Sequence, residues 1–187
     1  MLNDYLKYYM NPSAIFGTKM KLKYKILALL TLIVIALDQA TKSMILEKFG
    51  LGMTLPIIPD YFNLTYVQNR GAAFGLGSQA DPSFRGPFFV VVPLVALISI
   101  GWVFRKLPDR DLKMSSALSL VIAGAIGNLV DRLNLGFVVD FLDFHWHWAY
   151  HFPAFNVADS AICIGVGLLM LDLVQQDKKS NPVKKGA

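Results

Sequence analysis

The sequence predicts an all-α membrane protein: four transmembrane helices, with a small extracytoplasmic β-rich cradle and a short interfacial helix on one side. Three observations point there. Hydrophobic residues make up 55% of the 187 and charged residues only 17%, against roughly 25% charged in soluble domains, and the mean hydropathy is +0.47. The apolar residues are gathered into four blocks, each close to the roughly 20 residues that cross a hydrocarbon core. The lysines and arginines fall mostly between alternate blocks, as they do in a chain that crosses a membrane repeatedly.

The first block runs from about Ile26 to Leu46 and is uncharged through Leu37, with Asp38 and Lys42 near its far end. A basic region precedes it, but Asp38-Gln39-Ala40-Thr41-Lys42 follows its apolar run instead of a small-x-small cleavage site, so the block is read as a retained helix. The long segment that follows contains Tyr61-Phe62-Asn63-Leu64-Thr65-Tyr66-Val67, whose aromatic and β-branched residues, bracketed by Gly and Pro, predict a strand. After Asn69-Arg70, the small apolar stretch Gly71 to Leu76 suits a short piece lying at the membrane surface. The second block, Pro87 to Phe104, carries no charge, and the third, Met114 to Val130, is uncharged until Asp131 and Arg132 close it. Trp146, Trp148 and Tyr150, in the aromatic segment after it, read as an interfacial belt. The fourth block, Val157 to Val174, has Asp159 near its start and Asp172 near its end.

Positive charge collects on the cytoplasmic side of membrane proteins. Lys7, Lys19, Lys21, Lys23 and Lys25 precede the first block; Arg105, Lys106, Arg110 and Lys113 lie between the second and third; Lys178, Lys179, Lys184 and Lys185 follow the fourth. The remaining five basic residues lie at or beyond the opposite ends. Both termini are therefore expected in the cytoplasm, and the net charge of +5 is mostly orientation signal. The chain divides into an N-terminal cytoplasmic extension (1–24), a four-helix membrane domain (25–175) and a basic tail (176–187). No function is assigned to residues 1–19.

Several function classes recede at this point. No basic stripe with interleaved aromatics is present, so no nucleic acid is expected. Cys163 is single, has no intrachain partner, and reads as a small lipid-facing or helix-packing residue. His145, His147 and His151 match no helix-borne zinc motif, so no metal or other cofactor is expected. Asp143, three residues after Asp140, reads as a solvated surface charge.

Asp140 and Asp159 stand out because each lies where an apolar segment meets an aromatic one, at a membrane boundary where ionisable groups are costly and usually functional. Two carboxylates on one side of a membrane suggest acid/base chemistry. Asp38 and Lys42, four apart, share a helix face and suit an ion pair. Asn128 lies one turn before Arg132, and an amide with a guanidinium suits peptide carbonyls or phosphate.

Taken together, Asp38-Gln39-Ala40-Thr41-Lys42, Asn69-Arg70-Gly71-Ala72-Ala73-Phe74, Gly127-Asn128-Leu129-Val130-Asp131-Arg132, Val139-Asp140-Phe141 and Phe155-Asn156-Val157-Ala158-Asp159 make the chain resemble the lipoprotein signal peptidases, or signal peptidase II. The resemblance covers about Lys25 to Val174. It implies an aspartic endopeptidase that cleaves the signal peptide of bacterial prolipoproteins before a diacylglyceryl-modified cysteine. It assigns Asp140 and Asp159 as the catalytic pair, Asn69, Gly71, Asn128, Arg132 and Asn156 to the substrate site, and Asp38, Lys42 and Asp131 to its support. Prolipoproteins and membrane lipid are the expected partners of a monomer in the bacterial cytoplasmic membrane, with the site near the outer face. The rival reading is a small proton-coupled membrane transporter, disfavoured because the middles of the spans are apolar.

Overall fold

In a computed structural model, residues 20–71, 81–147 and 149–180 are described. The N-terminal extension through residue 19, most of the expected interfacial piece (72–76), Trp148 and the end of the tail (181–187) lie outside them. The chain order is α1 (Leu22–Lys48), β1 (Thr54–Ile58), β2 (Phe62–Asn69), α2 (Pro82–Lys106), α3 (Leu112–Leu135), β3 (Val138–Trp146), β4 (Tyr150–His151) and α4 (Val157–Ser180). All four helices are long and apolar enough to cross a membrane.

The helices extend beyond the apolar blocks because capping groups set their ends. Asp81 accepts a hydrogen bond from Ser83 N at 2.8 Å and Pro82 takes the first helical position, which needs no N–H, so α2 starts five residues before Pro87. Asp111 does the same for α3 through Met114 N at 3.0 Å. Gly136 ends α3 with φ of 78°, a left-handed conformation that costs glycine little, and its N–H returns to Arg132 O at 3.2 Å. At the start of α1, Lys23 is buried, although the sequence places it among the free cytoplasmic charges. Its Nζ donates to Arg105 O at 2.9 Å and Leu107 O at 2.7 Å, satisfying carbonyls left open at the end of α2.

Polarity in the bundle runs opposite to that of a soluble protein. Leu32, Ile98, Trp102 and Met170 are exposed, while Asp38, Lys42, Ser115, Ser119, Asn128 and Asp131 are buried. Polar atoms in a bilayer must be satisfied within the protein, so they face inward. The central helix is α3, packed against α1, α2 and α4. Glycine lets α4 approach closely: a Cβ on Gly124 would collide with the Ala158 carbonyl, and one on Gly165 would lie 2.6 Å from the Ala117 carbonyl.

The strands form an antiparallel sheet in the order β1-β2-β3-β4. Val67 faces Asp140 and Asn69 faces Val138, after a bulge between Leu64 and Val67. Val139 and Phe141 pack with Ile45 of α1 and Tyr66 of β2, tying the sheet to the bundle. Successive strand side chains point to opposite faces, so burying Val139 and Phe141 in that cluster turns Asp140 to the other side.

Candidate active site

The site forms where the start of β3 meets the start of α4, and its geometry grows from helix capping. Asn156 precedes α4. Its Oδ1 accepts from Asp159 N at 2.9 Å, while Asp159 Oδ2 accepts from Asn156 N at 3.2 Å. This reciprocal pair is a capping box built from Asn and Asp, and it fixes the Asp159 side chain against the first turn. The same Asn156 reaches across with its amide, donating to Asp140 Oδ1 at 2.7 Å. One asparagine therefore holds both carboxyl groups.

The other oxygens are held separately. Asn69 Nδ2 donates to Asp140 Oδ2 at 3.0 Å, a diagonal contact across the β2–β3 ladder. Asn128 Nδ2 donates to Asp159 Oδ1 at 2.7 Å, and its own Oδ1 accepts from Lys42 Nζ at 3.1 Å and Asn156 Nδ2 at 3.2 Å. Asn128 and Asn156 are thus buried with their amides committed to the carboxylates and to Lys42. Asn69, half-buried, also accepts from Gly71 N at 3.0 Å, and Arg132 Nη2 donates to the Gly71 carbonyl at 3.2 Å. Arg132 therefore links the end of α3 to the loop that leaves β2.

Beneath the pair lies a buried ionic network. Lys42 Nζ sits 2.8 Å from Asp38 Oδ2 and 2.9 Å from Asp131 Oδ2, so the ion pair expected of Asp38 and Lys42 is present and joined by a second acid. Asp38 Oδ1 accepts from Ala158 N at 2.9 Å, and Asp131 Oδ2 accepts from Val139 N at 3.1 Å. Each supporting aspartate thus holds the backbone of the residue immediately before Asp159 or Asp140. Gly127 makes room for this, since a Cβ there would lie 2.7 Å from Asp38 Oδ2.

Burial pushes the Asp140 carboxyl up to about 7, and the neighbouring Asp159 charge adds to the rise; the Asn69 and Asn156 hydrogen bonds and the Lys42 charge oppose it. A carboxyl in that range gives or takes a proton readily at neutral pH.

Asp143 corrects the sequence reading. It is buried, accepting from Asn63 Nδ2 at 2.9 Å and lying 3.0 Å from His151 Nδ1, with the His145 ring stacked on His151 at 4.9 Å. Three residues from Asp140 along a strand means the opposite face, and there Asn63 stands directly across from it. The sequence reading also passed over Gln39, which lies within the quoted motif and joins the ionic network. Its position one residue after Asp38 was the available signal.

Four spanning helices with a polar centre gathered at one end, beside a small sheet, define a multi-pass membrane protein. The chain belongs to the signal peptidase (SPase) II family, whose pattern it matches over residues 30–175, and is accordingly a bacterial membrane peptidase. It is 45% identical over 162 residues to the lipoprotein signal peptidase of Geobacter metallireducens, covering 87% of this chain and 98% of that one. It is 49% identical over 149 residues to the lipoprotein signal peptidase of Syntrophotalea carbinolica, covering 80% and 91%. A solved bacterial membrane enzyme structure, obtained by the in meso method at 2.3 Å resolution, superposes with a TM-score of 0.76 at 35% identity, over 89% of this chain and 97% of that one. Nothing in these likenesses supports the transporter reading.

Proposed function

We propose that this protein is an aspartic endopeptidase that removes signal peptides from diacylglyceryl-modified prolipoproteins, cleaving before the lipidated cysteine, with Asp140 and Asp159 as its catalytic pair. The observation that carries the reading is the Asn156 clamp. Its side-chain amide bonds the Asp140 carboxyl and its backbone N–H bonds the Asp159 carboxyl, so one residue ties the two acids together, and burial raises the Asp140 carboxyl to about 7.

Peptide hydrolysis by two acids needs one ionised and one protonated. The ionised member takes a proton from water as the water attacks the scissile carbonyl. The protonated member polarises that carbonyl and later supplies a proton to the leaving amine. The shared proton belongs to the pair, so neither aspartate has a fixed role at rest. Asn128 and Asn156 orient the acids from behind. Asn69, Gly71 and Arg132 would meet substrate backbone, and the Arg132 bond to the Gly71 carbonyl, which ties α3 to the loop after β2, supports that reading. The pair sits at the ends of the spans, where a peptide anchored by acyl chains arrives by lateral diffusion and water arrives from outside. Both termini then lie in the cytoplasm and the site near the outer face.

Asp140→Asn and Asp159→Asn test this directly, because each keeps the shape and removes the acid. Each purified variant should fold, yet cleave a diacylglyceryl-modified prolipoprotein more slowly by roughly 10²- to 10⁴-fold or more. Unlipidated substrate run alongside should be a poor substrate for the wild type. Near-normal cleavage by either variant would sink the two-aspartate mechanism.

A further inference from the structure

Lys42 is one cation set against two buried carboxylates, and it leaves Asp131 Oδ1 to a further donor. Gln39 Nε2 lies 3.0 Å from Asp131 Oδ1 and 3.1 Å from Asp38 Oδ2, with the Gly127 carbonyl at 3.4 Å. We propose that Gln39 is a positioning residue for catalysis, an uncharged tie between the two carboxylates that brace Asp140 and Asp159. The inference rests on the two-aspartate reading and adds to it a residue that touches neither acid.

The bracing is arranged in parallel. Asp38 holds Ala158 N, one residue before Asp159; Asp131 holds Val139 N, one residue before Asp140. Lys42 bonds one oxygen of each acid. Gln39 is the donor that reaches the remaining oxygen of Asp131, and it does so while bonded to Asp38. It therefore fixes the rotation of both carboxylates at once, and with it the spacing of the two backbone segments that carry the catalytic acids. Its neutrality matters. A third acid there would leave the lone ammonium facing three negative groups. The charged groups that face Gln39 are Asp38 and Lys42 on its own helix and Asp131 on α3. Arg132, Asp140 and Asp159 lie beyond them on α3, β3 and α4.

Two substitutions separate this role from simple packing. Gln39→Met keeps the volume and removes the donor. Its kcat should fall roughly ten- to a hundred-fold, the effect of losing a hydrogen bond to a charged group, with KM for lipidated prolipoprotein nearly unchanged. Gln39→Glu is isosteric. Protonated, it still donates one hydrogen bond and adds no charge; ionised, it repels both braces. Its kcat should therefore stay within a fewfold of wild type at acidic pH and fall as pH rises, at lower pH than in the wild type. Thermal unfolding in detergent, run on both variants, identifies losses that merely track stability. Wild-type kcat in Gln39→Met, a change confined to KM, or a Gln39→Glu pH profile identical to wild type overturns the proposal while Asp140→Asn stays inactive. An active Asp140→Asn variant overturns the catalytic reading itself.

Discussion

Asp140 is buried on a strand whose neighbours Val139 and Phe141 are packed into the junction between sheet and bundle, and that placement governs its proton. Desolvation penalises the ionised form, and the Asp159 charge adds to the penalty, so the carboxyl rises from 3.8 to about 7. The sign for activity follows. The protonated member of the pair is retained below about pH 7 and lost above it, so cleavage should fall on the alkaline side with its limb near that value. The sign for stability agrees. A carboxyl raised on folding favours the native state fully below its ordinary value of 3.8, and that contribution is lost as pH climbs through about 7. Asn69 donates to the ionised form of Asp140 and so lowers its pKa. Asn69→Ala should move the alkaline limb to higher pH. Rates measured across roughly pH 5 to 9 for both proteins check this, and a limb that stays put or moves to lower pH refutes the assignment of that limb to the aspartate pair that Asn69 touches.

At the scale of elements, the site depends on how closely α3 and α4 approach, because Asp159 rides on the first turn of α4 while Asn128 and Asp131 ride on α3. Gly124 makes that approach possible against the Ala158 carbonyl, whereas Gly167 on α4 has nothing within reach of an added Cβ. Gly124→Ala should push the helices apart, lowering stability by about 1–3 kcal/mol, as overpacking does, and reducing cleavage because Asn128 and Asp159 separate. Gly167→Ala should leave cleavage unchanged and stability no lower than that of the wild type. Thermal unfolding and cleavage rates measured on the pair provide the check, and equal behaviour of the two variants removes the close-approach account. The helices were legible in sequence because spans announce themselves by length and apolarity. Strand β2 was legible over Tyr61 to Val67 through its β-branched and aromatic run. Strand β3 was not, because eight of its nine residues are buried or aromatic, leaving no alternation to read. The strand was hidden in what looked like an interfacial belt, and with it the face that buries Asp143 against Asn63. The motif residues Asp38, Lys42, Asn128, Asp131 and Asn156 were all named from sequence. Their division of labour, with asparagines on the carboxylates and acids on the preceding backbone, needed the three-dimensional arrangement.

For the whole molecule, the decisive question is which side of the membrane the polar centre faces. Asp38, Lys42, Asn128, Asp131 and Asp159 gather at one end of the bundle, joined to the sheet through Asp140. Lys23 closes the opposite end by capping α2. Lys21, Arg105, Lys106, Arg110 and Lys113 lie toward that opposite end, and the positive-charge bias of the sequence is the argument for the proposed orientation, with the sheet and the two aspartates outward. On the proposed function, a substrate held by acyl chains is met on that face. The orientation is testable with single cysteines in a Cys163→Ser background. Leu51→Cys lies at the exposed turn between α1 and β1, and Arg110→Cys at the exposed link between α2 and α3. A membrane-impermeant maleimide added to intact cells, or to spheroplasts where an outer membrane is present, should label Leu51→Cys at once and Arg110→Cys only after lysis. The reverse pattern would put the aspartates on the cytoplasmic side and overturn the proposed outer-face site.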